Sequence, residues 1–307
     1  MWFKNLQLYR LPAPWDITQA MLSEQLSRGV FHPCGNLEAV SRGWTPPRRE
    51  AAMDELVHVA GNQYLLTLTI ESRLLPATVI NQETRTRAEK IAAEQGYPPG
   101  RKALRDLKAQ IRDELMPRAF VCRRKTLVWI DREHGWLGID ATSLAKAEEV
   151  LEHLRQCLDE LPLALVQTQK SPGSAMADWL ASGEAPAGFT VDRDCELKAV
   201  DEARATVRYV RHPLADEAAA EIRAHLAAGK LPTRLALTWD DRISFVLTEK
   251  SEIKRLEFLD VLKESVEQGI DNAEEIFDAE FALMTGEFTR FIPSLFEALG
   301  GLTASNR

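Results

Sequence analysis

Hydrolysis of nucleic acids calls for carboxylates that converge on a divalent metal. Asp131, Asp140, Asp240 and Asp241 are the acids best placed by type. All four fall at expected turns or strand ends, where the turn itself favours aspartate. A metal-dependent DNA exonuclease built on Asp131, Asp140 and Asp240 is therefore the alternative reading rather than the main one. His32, His58, His134, His153, His212 and His225 show neither HExxH nor any paired-ligand spacing. Cys34, Cys122, Cys157 and Cys195 are scattered and form no CxxC pair, which weakens both a zinc site and a secreted disulfide framework. The HPCG stretch at His32–Gly35 suits a thiol site or, more simply, a strand-to-loop junction. Ser171-Pro-Gly-Ser174 is not a nucleophile elbow, and there is neither a GxxxxGK[ST] phosphate loop nor a GxGxxG. The expectation is a non-enzyme with no catalytic residue, metal or cofactor.

Charge is the stronger signal. The chain carries 38 Lys+Arg against 46 Asp+Glu, a net charge of −8. Residues 85–125 run the other way, with twelve cations against five anions. The acids concentrate in residues 249–287, where twelve face only Lys250, Lys254, Arg255 and Lys263. An acidic chain with a basic segment fits an anion-binding arm, most plausibly for a nucleic-acid backbone. It also fits a solvated helix face stitched by i,i+4 pairs such as Arg85–Glu89 and Lys102–Asp106.

The elements that must position these residues are legible in outline. WFKNLQLYRL alternates like a strand and stops at Pro12 and Pro14. Asp16 or Thr18 then caps a helix to about Arg28, with Ile17, Met21, Leu22 and Leu26 as its apolar stripe. VFHPCG is short and apolar, and SRGWTPPRRE reads as loop. Leu56–Ala60 and Tyr64–Ile70 flank Gly61-Asn62 as a hairpin. The order strand, helix, hairpin returns at Ala205–Val210, a helix with Asp216 at its cap position, LPTRLALTW and RISFVLT, so the two halves are either an internal duplication or two instances of a common α+β order. Residues 81–116 hold two thinly apolar helices broken by GYPPG, which predicts a projecting helical hairpin. Lys125–Ile130 and Gly135–Ile139 form another hairpin, Ser143–Leu158 an amphipathic helix, and Met176–Leu180 a short one. The predicted fold class is α+β: two strand-helix-hairpin halves, a projecting basic helical arm and a helical C-terminal region. The predicted division is a central body of residues 1–75 and 119–260, an arm of 76–118 and a C-terminal helical region of 261–307.

Ordinary globular composition, 45% hydrophobic and 27% charged, argues against wholesale disorder. No run of about 18 apolar residues predicts a membrane span, and the first residues do not read as a signal peptide. Cytoplasm is the expected compartment.

Several landmarks occur together. They are MWFKNLQLYRL at the start, HPCG, Gly43-Trp44, Met116-Pro117-Arg118-Ala119-Phe120, Trp129-Ile130-Asp131, AGK at 228–230, LALTWDDRISFVL and LMTGEF at 283–288. In this combination, spread over nearly the whole chain, the sequence resembles the recombination-associated RdgC family of proteobacteria. The resemblance implies a non-enzymatic protein that binds double- and single-stranded DNA with little sequence preference. It implies crescent subunits joined at both ends into a ring-shaped homodimer around duplex DNA, functional antagonism with the RecA recombinase, and a place in the nucleoid. It also implies roles for single residues. Phe120 is matched to an aromatic at the arm-end dimer contact, and Arg118 to a basic position of the same motif. Lys230 and Arg211 are matched to positions facing the DNA hole; His212 has no clear counterpart. Arg234, close to Lys230 in sequence, and Arg123 and Arg124 of the basic run complete the expected DNA-binding set.

Overall fold

Alternation in the first ten residues does produce a strand, β1 (Gln7–Arg10), whose Gln7 and Tyr9 point inward. In the computed structural model, residues 49–50, 53, 201–204, 215–218, 263–271 and 304–307 are excepted from description. The cap position at Asp216 therefore lies outside the described residues. Thr18 accepts the Met21 N–H at 3.2 Å and starts α1 (Gln19–Leu26), which buries Leu22 and Leu26.

The next strand corrects the sequence reading. SRGWTPPRRE was expected to be loop, yet β2 (Val40–Thr45) runs through it. Arg42 and Gly43 hide the strand pattern, but Gly43 is there for a packing reason. A Cβ on it would stand 2.2–2.6 Å from main-chain atoms of Val30 and Phe31. That close approach lets the Phe31 N–H donate to the Trp44 carbonyl at 3.0 Å. The hairpin β3 (His58–Ala60) and β4 (Gln63–Leu74) follows as expected.

β4 then pairs antiparallel with β5 (Phe120–Asp131) at all twelve positions, from Gln63↔Asp131 to Leu74↔Phe120. β5 is longer than the predicted Lys125–Ile130, and its first six residues are exposed. No apolar face marks that half in the sequence; it is held by pairing with β4. Between the two strands lie α2 (Ala77–Gln95) and α3 (Arg101–Leu115), which pack together as a helical hairpin. Gly96 closes α2 in the left-handed region at φ 80°. Ile80 and Ile111 are their buried residues.

With β6 (Trp136–Ile139), α4 (Leu144–Cys157) and β7 (Ala164–Leu165), the first sheet has seven strands in the order β2-β4-β5-β6-β1-β7, β3 lying beside β4. One face, with Leu66, Leu68, Val128, Ile130 and Leu137, packs on α1 and α4.

The second sheet is also antiparallel, in the order β12-β11-β10-β8-β9. Its strands are β8 (Phe189–Ala199), β9 (Thr206–Tyr209), β10 (Lys230–Trp239), β11 (Ile243–Thr248) and β12 (Ile253–Phe258). α5 (Pro172–Ser182) and α6 (Ala219–Ala227) contribute Met176, Leu180 and Ile222 to its core. β8 and β12 escaped the sequence reading because charged residues interrupt both. Strand–helix–hairpin recurs as β1–α1–β3/β4 and β9–α6–β10/β11. In space β5 and β6 separate β1 from β4, whereas β8 alone separates β9 from β10.

The last helix, α7 (Ala273–Ala298), joins the two sheets. Phe288 lies 5.1 Å from Trp129 of the first sheet and 5.7 Å from Phe258 of the second, centroid to centroid. Phe291 meets Phe245 at 5.0 Å, and Trp136 stacks on Phe296 at 5.2 Å. Each such pair adds about 0.5–1.5 kcal/mol beyond simple burial. Glu287, also buried on this helix, is satisfied by the Arg242 guanidinium at 2.6 and 2.9 Å. The architecture is thus mixed α+β, two antiparallel sheets around a shared aromatic helix.

Candidate nucleic-acid interface

Four expected residues sit where the exposed half of β5 leaves the helical hairpin. A 3-10 turn at Met116–Arg118 leads into the strand. Arg73, opposite on β4, holds that turn: its guanidinium donates to the Met116 carbonyl at 3.2 Å and, on the other side, to the Cys34 and Gly35 carbonyls at 3.3 and 3.2 Å. The Arg118 side chain is exposed and forms no ion pair among the described residues. Phe120 follows with 84% of its surface exposed, facing Leu74 across the ladder, itself 54% exposed. An aromatic so exposed takes no part in the core of its own chain.

Arg123 and Arg124 lie on opposite faces of the strand. Arg123 is tied to Glu71, its cross-strand partner, and sits 5.5 Å over the Phe31 ring. Glu71 is buried and also accepts the Cys34 N–H at 2.7 Å. The Arg123 guanidinium, and then that N–H, hold the Glu71 carboxyl below the usual carboxylate range. Arg123 therefore spends part of its charge inside the fold. Arg124 reaches Glu149 of α4 at 3.4 Å, an exposed pair worth little.

The other three cations belong to the second sheet. Arg211, after β9, has φ 54°, and its backbone N–H donates to Asp194 at 2.9 Å. The other Asp194 oxygen takes the Arg255 guanidinium at 3.3 Å, and Arg255 also has a left-handed φ, 51°. Lys230 starts β10, its ammonium 3.0 Å from His225 Nδ1 on α6. Arg234 lies four residues further along β10, 3.9 Å from Glu196. A cleft of about 140 Å³ beside it is lined by Arg208, Lys254 and Arg255 together with Asp194 and Glu196. The six expected cations are thus two sets, one on each sheet. Sequence reading missed Arg73, Asp194 and His225, which hold site residues in place; Arg73 and Asp194 work through partners 43 and 17 positions away and His225 through Lys230 five positions on, and no local motif marks any of them.

The acids of the alternative reading do not converge. Asp131 is fully buried, accepts the Glu133 and His134 N–H groups at 3.0 Å and bonds the His134 ring at 2.9 Å. Asp140 accepts the Asn5 N–H at 2.9 Å, and burial pushes its carboxyl up. Asp240, in a left-handed turn with Asp241, pairs with Arg290 at 3.4 Å. Asp131 closes its own turn, Asp140 holds the segment before β1, and Asp240 pairs with α7, so the three carboxylates serve separate partners. Among the described residues no group of three or more His, Cys, Asp or Glu could hold a metal ion. Cys34, Cys157 and Cys195 are buried free thiols, and Cys122 is exposed. No described helix is long and apolar enough to cross a membrane.

Comparison with known proteins adds an independent line. A family model described as "Putative exonuclease, RdgC" matches residues 1–302. The chain is 62% identical over 301 residues to the recombination-associated protein RdgC of Dechloromonas aromatica, covering 98% of both chains. It is 52% identical to the protein of that name from Cupriavidus pinatubonensis, covering 98% of this chain and 99% of the relative. It is 50% identical to the one from a Janthinobacterium species, again over 98% of both.

Proposed function

Since this chain belongs to the RdgC family of recombination-associated proteins, we propose that it is a sequence-non-specific DNA-binding protein that closes as a two-fold ring around duplex DNA and restrains RecA-dependent recombination. The observation that carries the DNA reading is the display of the basic segment. Twelve cations of residues 85–125 sit on two helices with little buried surface, on the 3-10 turn that carries Arg118 and on the exposed half of β5. In a ring, such surfaces from two subunits face one opening, where potentials add and like-charged acidic regions elsewhere discourage a second duplex outside. Arg118, Arg123, Arg124, Arg211, Lys230 and Arg234 contact phosphates, which carry no sequence information. Phe120 is the arm-end dimer anchor, in keeping with its exposure. Single-stranded DNA is bound through the same charges. RecA is held back by occupied DNA. Residues 1–75 and 119–260 form the body of the crescent, 76–118 the arm and 261–307 the base, and the protein works in the cytoplasm on the nucleoid without a cofactor.

The exonuclease wording of the family model finds no support in Asp131, Asp140 and Asp240, whose oxygens are engaged by separate partners. One titration tests both readings. Binding of labelled linear duplex is expected to weaken steeply with salt, with a log–log slope of about −0.9 per phosphate neutralised. Lys230→Glu is expected to weaken all sequences alike. Duplex of unchanged length after incubation with Mg²⁺ or Mn²⁺ completes the expected result. A flat salt response overturns the binding reading, and shortening of the duplex overturns the non-enzymatic one.

A further inference from the structure

α7 covers only part of the face of the first sheet on which it lies. Leu65 and Trp129 share its aromatic core. Two residues further along the pleat, Thr67 and its cross-strand neighbour Leu127 line a cleft of about 530 Å³, which Lys125 also borders. The N-terminal end of α7 supplies one wall through Phe277, and Pro47 and Arg48 supply another. The lining is mainly apolar, with a few polar groups, and its volume suits a small molecule.

Those polar groups are unequally engaged. A terminal nitrogen of Arg48 donates to both Asp278 oxygens at 2.5 and 2.7 Å, and the Met1 amine pairs with Glu280. Asp140 accepts the Lys4 and Asn5 N–H groups at 3.3 and 2.9 Å, and Glu274 is exposed to solvent. Three donors are left over. The Lys125 ammonium forms no ion pair among the described residues. Arg48 Nε is buried without a hydrogen-bond partner. Thr67 is 1% exposed, and its hydroxyl has no partner either, although Thr45 and Thr69 of the same face bond each other at 2.8 Å. A buried hydroxyl left alone is uncommon in a native protein. Its oxygen is closed to bulk water, so a group seated in the cleft reaches it once the threonine turns about its Cα–Cβ bond.

We propose that this cleft binds a small monocarboxylic acid with an apolar, ring-sized body. Lys125 and the Thr67 hydroxyl take the carboxylate, and the body lies against Leu127 and Phe277. Lys125 and Thr67 occupy diagonal positions of paired strands, about 7–8 Å apart, a span that the long lysine side chain closes. An unengaged set made of donors selects an anion, and the apolar walls select against a bare one. The proposal stands apart from the DNA-binding reading.

The test titrates 2-naphthoate into the full chain by calorimetry. A dissociation constant below about 1 mM is expected, with 2-naphthylmethanol and 2-naphthylmethylamine each weaker by about tenfold or more, because neither brings a negative charge. Lys125→Met and Thr67→Val, each near the parent in shape, are expected to weaken the acid by about tenfold. Thr67→Val is also expected to keep or raise the thermal midpoint, because it removes a buried polar atom that has no partner. A lowered midpoint shows that the hydroxyl is bonded within the fold and overturns its role. Absence of binding by the parent overturns the proposal, as does equal affinity for the alcohol or the amine, or parental affinity in either variant. Inorganic phosphate that displaces the acid at equal concentration assigns the cleft to any anion and overturns it too. Any of these failures beside salt-dependent duplex binding leaves the DNA reading standing.

Discussion

Phe120 is the side chain on which the proposed dimer contact is most directly tested. At 84% exposure it contributes little to the stability of its own subunit. If it anchors a second subunit, Phe120→Ala weakens that contact by about 2 kcal/mol or more, roughly 30-fold in its dissociation constant. Sedimentation at low concentration is expected to show the loss, with the thermal midpoint of the subunit unchanged. A lowered midpoint with the same mass contradicts the anchor role. Burial also marks His58 and His153, whose imidazoles are both held below the ordinary value of about 6.5. For His58 desolvation dominates and Arg48 adds to it, against a smaller pull from Asp278; Phe277 and Phe281 pack edge-on around the ring. A depressed histidine binds its proton more readily when unfolded, so its contribution is complete above the unfolded value and shrinks as pH falls from there toward the folded one. The thermal midpoint is expected to drop between pH 7.5 and 5.5, and His58→Gln to drop less over the same interval. An equal drop in both proteins removes His58 from the cause.

At the scale of elements, β2 depends on an absence. Gly43 admits the main chain of Val30 and Phe31 to a distance no side chain tolerates. Gly43→Ala is expected to cost about 3 kcal/mol through displaced backbone, read as a lower midpoint in urea. Little change there indicates that the loop before β2 yields easily. The same loop touches the basic site: Arg73 bridges the carbonyls of Cys34 and Gly35 to the turn carrying Arg118. Damage at Gly43 is therefore expected to reach the arm base. The helices of the arm were legible from their formers and from the GYPPG break, since a sharp interruption needs no tertiary partner. β2 and β8 were not, because pairing on their flanks outweighs the glycine and charges that break their local pattern.

The whole molecule is organised by α7. Its aromatic residues serve the first sheet on one side and the second on the other, through Trp129 and Trp136 in one direction and Phe245 and Phe258 in the other. The apolar spacing of 276–299 reads as a helix end to end, yet nothing in it tells a terminal appendage from a central spine. Likewise the two cationic sets, at Arg118–Arg124 and at Arg211–Arg234, are placed on different sheets by strand order alone.

From the linear chain came the family, through scattered landmarks, together with the α+β class, the basic segment and the helical hairpin that bears it. Those are local or compositional properties, set by residue types within a few turns of one another. Tertiary structure alone decided that Asp131, Asp140 and Asp240 serve separate partners, that Glu71 draws Arg123 inward, and that Asp194 holds both Arg211 and Arg255. The Glu71 and Asp194 contacts join residues from 17 to 61 positions apart, and the tertiary fold, not sequence spacing, chooses the partners.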